Sequence, residues 1–225
     1  MHTLNVNISL PQSRTISERA AKLMHLFGLR LERLKNERLH HSCRITLKPG
    51  QICFIAGSSG AGKSVLLGAL YEQVPSKNRI RLEEIPLEHH GSLIDCVDGP
   101  LWNATETLSK AGLSDVFSML NCPSKLSAGQ QWRYRLAKAL MSDKQWIFID
   151  EFTTSLDRIT ACVIAHNLRK LATETKKNLI LASCHEDMLS DLQPDVIVMK
   201  YLNGKTQIIY KDKSQGENQR VISHQ

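Results

Sequence analysis

A phosphate-binding pattern begins at residue 57. The eight residues there match the motif GxxxxGK[ST], follow an apolar run that predicts a strand (Ile52–Ala56) and precede a helical pattern over 63–72. Glycines let the loop backbone turn its amides towards phosphate oxygens, and the helix adds its positive N-terminus. We expect the lysine to reach the β- and γ-phosphates of a nucleotide and the final serine to hold Mg²⁺. The motif comprises Gly57, Ser58, Ser59, Gly60, Ala61, Gly62, Lys63 and Ser64.

Two adjacent carboxylates offer the chemistry that such a site needs. Asp150 and Glu151 follow the apolar run Trp146–Ile149, which predicts a buried strand whose C-terminal end lies beside the phosphate loop. Asp150 suits a direct or water-mediated Mg²⁺ contact, and Glu151 suits a general base that polarises the attacking water. Together with the loop they predict phosphoryl chemistry, but they do not separate kinases, GTPases and ATPases.

The elements that must position these residues alternate along the chain. Further apolar runs of the kind found in buried parallel strands occur at Leu179–Ala182 and Val196–Met199. Helical patterns occur at 129–141 and 157–173. This alternation predicts an α/β fold with a mainly parallel sheet flanked by helices on both faces.

Composition excludes several classes of protein. The 225 residues are 42% hydrophobic and 23% charged, which is typical of a chain that buries a core. No apolar run approaches the roughly 18 residues of a membrane helix, and the N-terminus lacks the pattern of a signal peptide. The six cysteines include no CxxC pair, so we expect neither a zinc site nor a disulfide framework, and a cytoplasmic location.

The net charge of +7 is concentrated at the two ends of the chain. Residues 1–50 hold nine Lys and Arg against three acids, and residues 200–225 hold five against two. Such basic flanks attract nucleic acid backbones or an anionic membrane face. They are equally typical of a solvated helix and a frayed tail, and both interpretations stay open.

A third motif indicates the class of nucleotide enzyme. The run Leu126-Ser127-Ala128-Gly129-Gln130, 23 residues ahead of Asp150 when counted from its serine, resembles the LSGGQ signature of ATP-binding-cassette (ABC) ATPases. Ser155-Leu156-Asp157 resembles the family's D-loop, and His185 its switch histidine. Five motifs in the family's order span residues 57–185.

This resemblance implies a P-loop NTPase fold of the ABC type and an ATP-hydrolysing enzyme that uses ATP and Mg²⁺. Two ATP molecules would lie between two chains arranged head to tail, each held by Lys63 and Ser64 of one chain and by Ser127 and Gly129 of the other. His185 would contact the γ-phosphate, and Asp157 would belong to the nucleotide-binding set. A nucleotide-gated homodimer acting on a macromolecule is then the leading hypothesis.

The sequence departs from the family pattern at the Q-loop. No glutamine lies between Gln73 and Gln130, and Asp98 takes about the expected place, so Asp98 is either a Mg²⁺ ligand or part of a simple Asp-Gly turn. The interval from Lys63 to Leu126 is short, which predicts a shortened helical subdomain at about 92–141. This shortening argues against a transporter subunit with separate membrane chains, which is the alternative function.

The family's adenine-stacking aromatic is also missing. No aromatic residue lies between Phe27 and Phe54, so Arg38, His40 or His41 would have to take that role.

We expect three regions along the chain. Residues 1–36 form a basic N-terminal arm with an amphipathic helix, for which Thr15 and Glu18 have capping-box spacing. Residues 37–210 form the ABC-type ATPase domain, and residues 211–225 form a disordered tail. The stretch 150–161 further resembles the soluble ABC-type ATPases found alone or joined to acetyltransferase domains. Nucleic acid is the leading candidate for the macromolecular partner, and the basic arm is compatible with it; a protein partner is the alternative.

Overall fold

The computed structural model describes residues 1–11, 17–28 and 38–211. The predicted cap Thr15 and the tail beyond Lys211 therefore lie outside the described residues. The strands are β1 (His2–Pro11), β2 (Arg38–Leu47), β3 (Ile52–Ala56), β4 (Arg79–Arg81), β5 (Trp146–Ile149), β6 (Asn178–Ser183), β7 (Val196–Lys200) and β8 (Thr206–Tyr210). The helices are α1 (Glu18–Leu26), α2 (Lys63–Glu72), α3 (Leu101–Lys110), α4 (Val116–Leu120), α5 (Ala128–Met141), α6 (Arg158–Thr175) and α7 (Leu189–Leu192).

A six-stranded sheet forms the centre of the fold. Its strand order is β4-β5-β6-β3-β7-β8, and every pairing is parallel except that of β7 with β8. Strands β3, β5 and β6 are buried along their whole length, as their apolar runs require. The predicted α/β fold with a mainly parallel sheet is confirmed.

Side chains of the sheet alternate between two buried clusters. Ile52, Phe54 and Ala56 pack with α3, α5 and α6 on one face, whereas Cys53 and Ile55 pack with α2 on the other. This alternation follows from the two-residue period of a strand. Both faces of the sheet are therefore covered, and its polar loops are confined to the strand ends.

The first strand packs on the core of the fold. Strand β1 pairs antiparallel with β2, with His2 opposite Leu47 and Pro11 opposite Arg38. Leu4 and Val6 are buried in the same cluster as α2. The segment treated above as a basic arm thus contributes a strand to the fold.

The amphipathic helix of this segment is present as α1. Its N-cap is Ser17, whose Oγ accepts a hydrogen bond from the Ala20 amide at 3.3 Å. The capping role expected for Thr15 therefore belongs to Ser17. Only Met24 of this helix is buried, and Leu26 and Phe27 are exposed.

Asp195 joins three elements at the N-terminal edge of the sheet. Its carboxylate accepts hydrogen bonds from the Ile52 amide at 2.9 Å and from Arg169 Nη1 at 2.6 Å. Arg169 also donates to the Gly50 carbonyl at 2.6 Å. The start of β3, helix α6 and the turn before β7 are held together at this ion pair, in which both side chains are mostly buried.

We expect Asp195→Ala to lower the free energy of unfolding by roughly 3 kcal/mol, because it leaves the Arg169 guanidinium mostly buried without its carboxylate. Urea unfolding measures the loss. Asp143→Ala is the matched control, because its carboxylate is 82% exposed beside Lys144 and such pairs contribute at most about 1 kcal/mol. Equal losses in the two variants would contradict the role given to Asp195.

Candidate active site

The phosphate loop connects β3 to α2 and is tightly supported from behind. Gly57 and Gly62 have φ angles of 146° and 86°, which disfavour residues with a side chain. A Cβ at Gly57 would clash with the Lys200 carbonyl, and one at Gly62 would clash with the His41 ring. Gly62 is also the N-cap of α2. Only glycine fits both positions, because a side chain at either would displace the loop or the residue behind it.

The motif surrounds a cavity of about 280 Å³. Lys63 Nζ donates to the loop carbonyls of Gly57 and Ser58 at 2.8 and 2.9 Å, so the ammonium group lies against the loop. The cavity is lined from the motif by Ser59, Gly60, Gly62, Lys63 and Ser64, and from other loops by Val65, Asp150, Glu151, Thr154, Ala182, Ser183 and Cys184.

The two carboxylates lie where the sequence predicts, directly after β5. The Asp150 carboxylate accepts the Glu151 amide at 3.0 Å. Glu151 and Thr153 have positive φ angles of 47° and 69°, a conformation that costs about 1–3 kcal/mol for each such residue. Phe152, between them, donates its amide to the Ala182 carbonyl at 2.8 Å. The backbone that presents Glu151 is thus strained and anchored to β6.

His185 follows β6 on the same side of the sheet. Its amide donates to Ser183 Oγ at 3.1 Å, and Ser183 Oγ donates to the Phe152 carbonyl at 3.1 Å. The imidazole is exposed, and it is Ser183 and Cys184 that line the cavity. The His185 backbone is therefore linked by hydrogen bonds, through Ser183, to the loop that carries Glu151.

The signature residues lie elsewhere on the surface. Ser127 is the N-cap of α5 and forms a capping box with Gln130. Gly129 packs against the D-loop, where a Cβ would come to 3.0 Å from the Ser155 carbonyl. Neither Ser127 nor Gly129 is among the residues that line the phosphate-loop cavity. The N-terminus of α5 is capped by Ser127 and exposed, and it lies outside the phosphate-loop cavity of its own chain.

Asp157 caps the next helix, α6. Its Oδ1 accepts the Thr160 amide at 2.9 Å, and this hydrogen bonding lowers the pKa of the Asp157 carboxyl below its usual value. The carboxylate is exposed, so it remains charged at neutral pH at the end of the D-loop.

A further carboxylate, Glu83, stands beside the site and was missed in the sequence. Arg81 of β4 pairs with Phe148 of β5, and Glu83 and Asp150 each follow two residues later, so parallel pairing brings them to the same edge. Glu83 lines a second cavity, of about 400 Å³, whose other lining residues are Arg81, Trp132, Asp150, Glu151, Thr154 and Ser155. Strand β4 has only three residues, two of them arginines, so no apolar run indicates it.

The structure places Asp98 apart from the phosphate loop. Asp98 lines a third cavity, of about 230 Å³, together with Lys138 of α5 and Glu84. None of the motif residues 57–64 lines this cavity. Glu83, and not Asp98, therefore lines a cavity together with Asp150 and Glu151.

Among the described side chains, the residues expected to stack on adenine provide no exposed surface for the base. His41 is buried against Gly62, so its ring supports the phosphate loop and is not accessible to a base. The side chains of Arg38 and His40 lie outside the described part of the structure.

The donors around the main cavity fit Mg²⁺. In the described ranges, no group of three His, Cys, Asp or Glu side chains is arranged to hold a metal ion. Ser64 and Asp150 nevertheless line one cavity, and Mg²⁺ is commonly held by one or two protein oxygens together with phosphate oxygens and water. These two side chains would hold it there.

Comparison with known proteins supports the ABC class of ATPases that the sequence motifs predict. The family model described as ABC transporter matches residues 40–98, which include the phosphate loop. The L-cystine transport system ATP-binding protein TcyN of Escherichia coli is 24% identical over 212 residues, covering 75% of this chain and 83% of that protein. The nickel import ATP-binding protein NikD of Brucella abortus is 26% identical, covering 68% and 72%.

Solved structures share the fold. The dimeric structure of a post-hydrolysis state of the ATP-binding cassette MJ0796, bound to ADP and Pi, superposes with a TM-score of 0.60 at 19% identity. The superposition covers 76% of this chain and 92% of that one. An inward-facing metal-chelate type ABC transporter gives a TM-score of 0.58 at 17% identity, covering 76% and 77%.

The motifs, the relatives and the fold of this chain together support its placement in the ABC ATPase superfamily. These comparisons agree with the ATP-hydrolysing enzyme that the sequence predicts, because the relatives are ATP-binding proteins and the solved cassette is bound to ADP and Pi. Across residues 1–11, 17–28 and 38–211, no helix combines the length and the apolar character that crossing a bilayer requires.

We expect Glu83→Gln to raise the Mg²⁺ concentration for half-maximal ATP hydrolysis about tenfold, because groups that orient metal ligands affect metal affinity by that order. Asp98→Asn is the matched control and should leave the Mg²⁺ requirement unchanged, because Asp98 lines a separate cavity. Titration of Mg²⁺ at fixed ATP measures both. A shift with Asp98→Asn alone would restore Asp98 as the residue near the metal.

Proposed function

We propose that two copies of this chain close head to tail around two ATP molecules and open after hydrolysis. The observation that carries the proposal is the position of the signature motif. Ser127 and Gly129 begin a 14-residue helix whose N-terminus suits an anion, yet they lie outside the cavity of their own phosphate loop. A second copy would bring its own Lys63 and bound phosphates to this helix start.

Within each site, the roles follow from position and charge. Lys63 and the loop amides bind the β- and γ-phosphates, and Glu151 polarises the attacking water. The strained backbone at Glu151 holds this carboxylate at the end of β5, where the cavity is open to the phosphate loop. His185 senses the γ-phosphate from the loop after β6.

Mg²⁺, when bound, neutralises charge on the phosphate oxygens. Ser64 and Asp150 would hold it, and Glu83 lines the 400 Å³ cavity on the other side of Asp150. Asp157 stabilises the D-loop by capping α6, which keeps Ser155 packed against Gly129 of the signature helix. The D-loop and the signature motif thus form one surface for the partner copy.

Closure of the pair can act on a macromolecule, and the relatives favour a transport-type protein partner. The relatives described above are ATP-binding proteins of transport or import systems. The chain also exposes Leu101 and Trp102, by 69% and 78%, just after Val97 and Asp98 of the 230 Å³ cavity. An exposed apolar pair beside a cavity is suited to a protein partner. These observations favour an ATP-binding subunit that acts on separate membrane chains over a clamp that acts on nucleic acid.

We expect Glu151→Gln to accumulate as a dimer when ATP and Mg²⁺ are added. Loss of the general base slows hydrolysis by about 10²- to 10⁴-fold, while the charge of ATP still bridges the two copies. Size-exclusion chromatography with light scattering measures the mass. Adding Lys63→Ala to the same variant should keep it monomeric, because the phosphates lose their lysine.

The Glu151→Gln variant also has an outcome that would contradict the proposed dimer. A Glu151→Gln protein that stays monomeric at ATP concentrations where it binds nucleotide, measured by equilibrium dialysis, would exclude the head-to-tail dimer for this chain.

The choice of partner can be tested through turnover. We expect the ATP hydrolysis rate to change less than about twofold when DNA or RNA is added at low salt, because the described basic residues of α1 are few and accompanied by Glu18. A stimulation that falls steeply with salt, and that is lost when Arg19 and Lys22 are replaced by glutamate, would identify nucleic acid as the partner.

A further inference from the structure

An aromatic contact links the signature helix to the loop that carries Glu151. Trp132 lies on α5, five residues after Ser127, and its ring is 5.9 Å from the Phe152 ring at an interplanar angle of 48°. Trp132 is half-buried, and it lines the 400 Å³ cavity beside Asp150 and Glu151. The indole is therefore in contact with the hydrolytic end of the site although it belongs to the signature helix.

Phe152 anchors the loop that follows β5 and carries Glu151. Its side chain is fully buried, its amide donates to the Ala182 carbonyl at 2.8 Å, and its carbonyl accepts from Ser183 Oγ at 3.1 Å. The residues on either side, Glu151 and Thr153, both have positive φ. A force on Phe152 that moves its backbone thus acts directly on the strained residues next to it.

Helix α5 contacts this loop a second time. Gly129 packs against the Ser155 carbonyl so closely that a Cβ would come within 3.0 Å. The two contacts lie on either side of Thr153 and are about one turn apart on the helix. A shift of α5 therefore acts on the whole segment from Phe152 to Ser155 instead of being absorbed by a flexible loop.

We propose that Trp132 is a positioning residue, which holds Phe152 so that Glu151 is aligned for hydrolysis only when the signature helix is seated on nucleotide. This inference rests on the proposed ATP-bound dimer and adds to it a path within one chain. Binding of the partner's ATP at Ser127 seats α5, α5 presses Trp132 against Phe152, and Phe152 sets the backbone of Glu151.

The proposal predicts that variants of Trp132 change the rate of ATP hydrolysis but not the affinity for ATP. Trp132→Leu should lower kcat for ATP about tenfold or more, because small misplacements of a reacting group have effects of that size. KM for ATP should stay within about twofold, because Trp132 does not line the phosphate-loop cavity. Trp132→Phe should recover most of the rate, because it retains a ring against Phe152.

Three controls distinguish this role from a structural one. Phe117→Leu removes an exposed ring from α4 and should leave the kinetics unchanged. Thermal unfolding should show that Trp132→Leu is folded, and the double variant Trp132→Leu with Glu151→Gln should still dimerise with ATP. Retention of kcat in Trp132→Leu, or equal loss in Trp132→Phe, would overturn the positioning role while leaving the dimer intact. Failure of Glu151→Gln alone to dimerise would instead reject the proposed function itself.

Discussion

The parallel pairing of β3, β5 and β6 is the constraint on which the site depends. Because parallel strands end at the same edge of a sheet, the loops that follow them must meet there. The phosphate loop follows β3, Asp150 and Glu151 follow β5, and His185 follows β6. Strand β6 lies between the other two, so it fixes the spacing between phosphate and carboxylate. The chemistry therefore requires the buried apolar runs as much as the polar residues.

The same pairing explains how far the sequence predicts the site. Buried parallel strands have continuous apolar runs, so β3, β5 and β6 were recognisable, and the motif residues could be assigned to their ends. Strand β4 is short and carries Arg79 and Arg81, whose side chains stack on Tyr71 rather than forming an apolar run. Glu83 was missed for that reason, although its pairing register with β5 determines where it lies.

The missed strand β1 has a different cause. Leu4, Val6 and Ile8 alternate with polar residues over His2–Pro11, which is a strand pattern. The prediction of a basic arm rested instead on the charge of the region and on the helix that follows. Strand β8 was missed because it is a half-buried edge strand with little apolar contrast. Long-range pairing, such as that of β1 with β2, has no local signal beyond this alternation.

The His41–Gly62 contact places the two-stranded sheet directly behind the phosphate loop. His41 belongs to β2, which is paired along its whole length with β1, and its ring fills the space where Gly62 has no side chain. The shape of the phosphate loop thus depends on a two-stranded sheet formed by residues far apart in the chain. If docking of that sheet changes the affinity of the loop for a ligand, the ligand must change the docking equilibrium by the same factor, since the coupling between two equilibria is reciprocal. Strand β1 is thereby coupled to the phosphate loop through β2, although none of its residues is among those that line the cavity there.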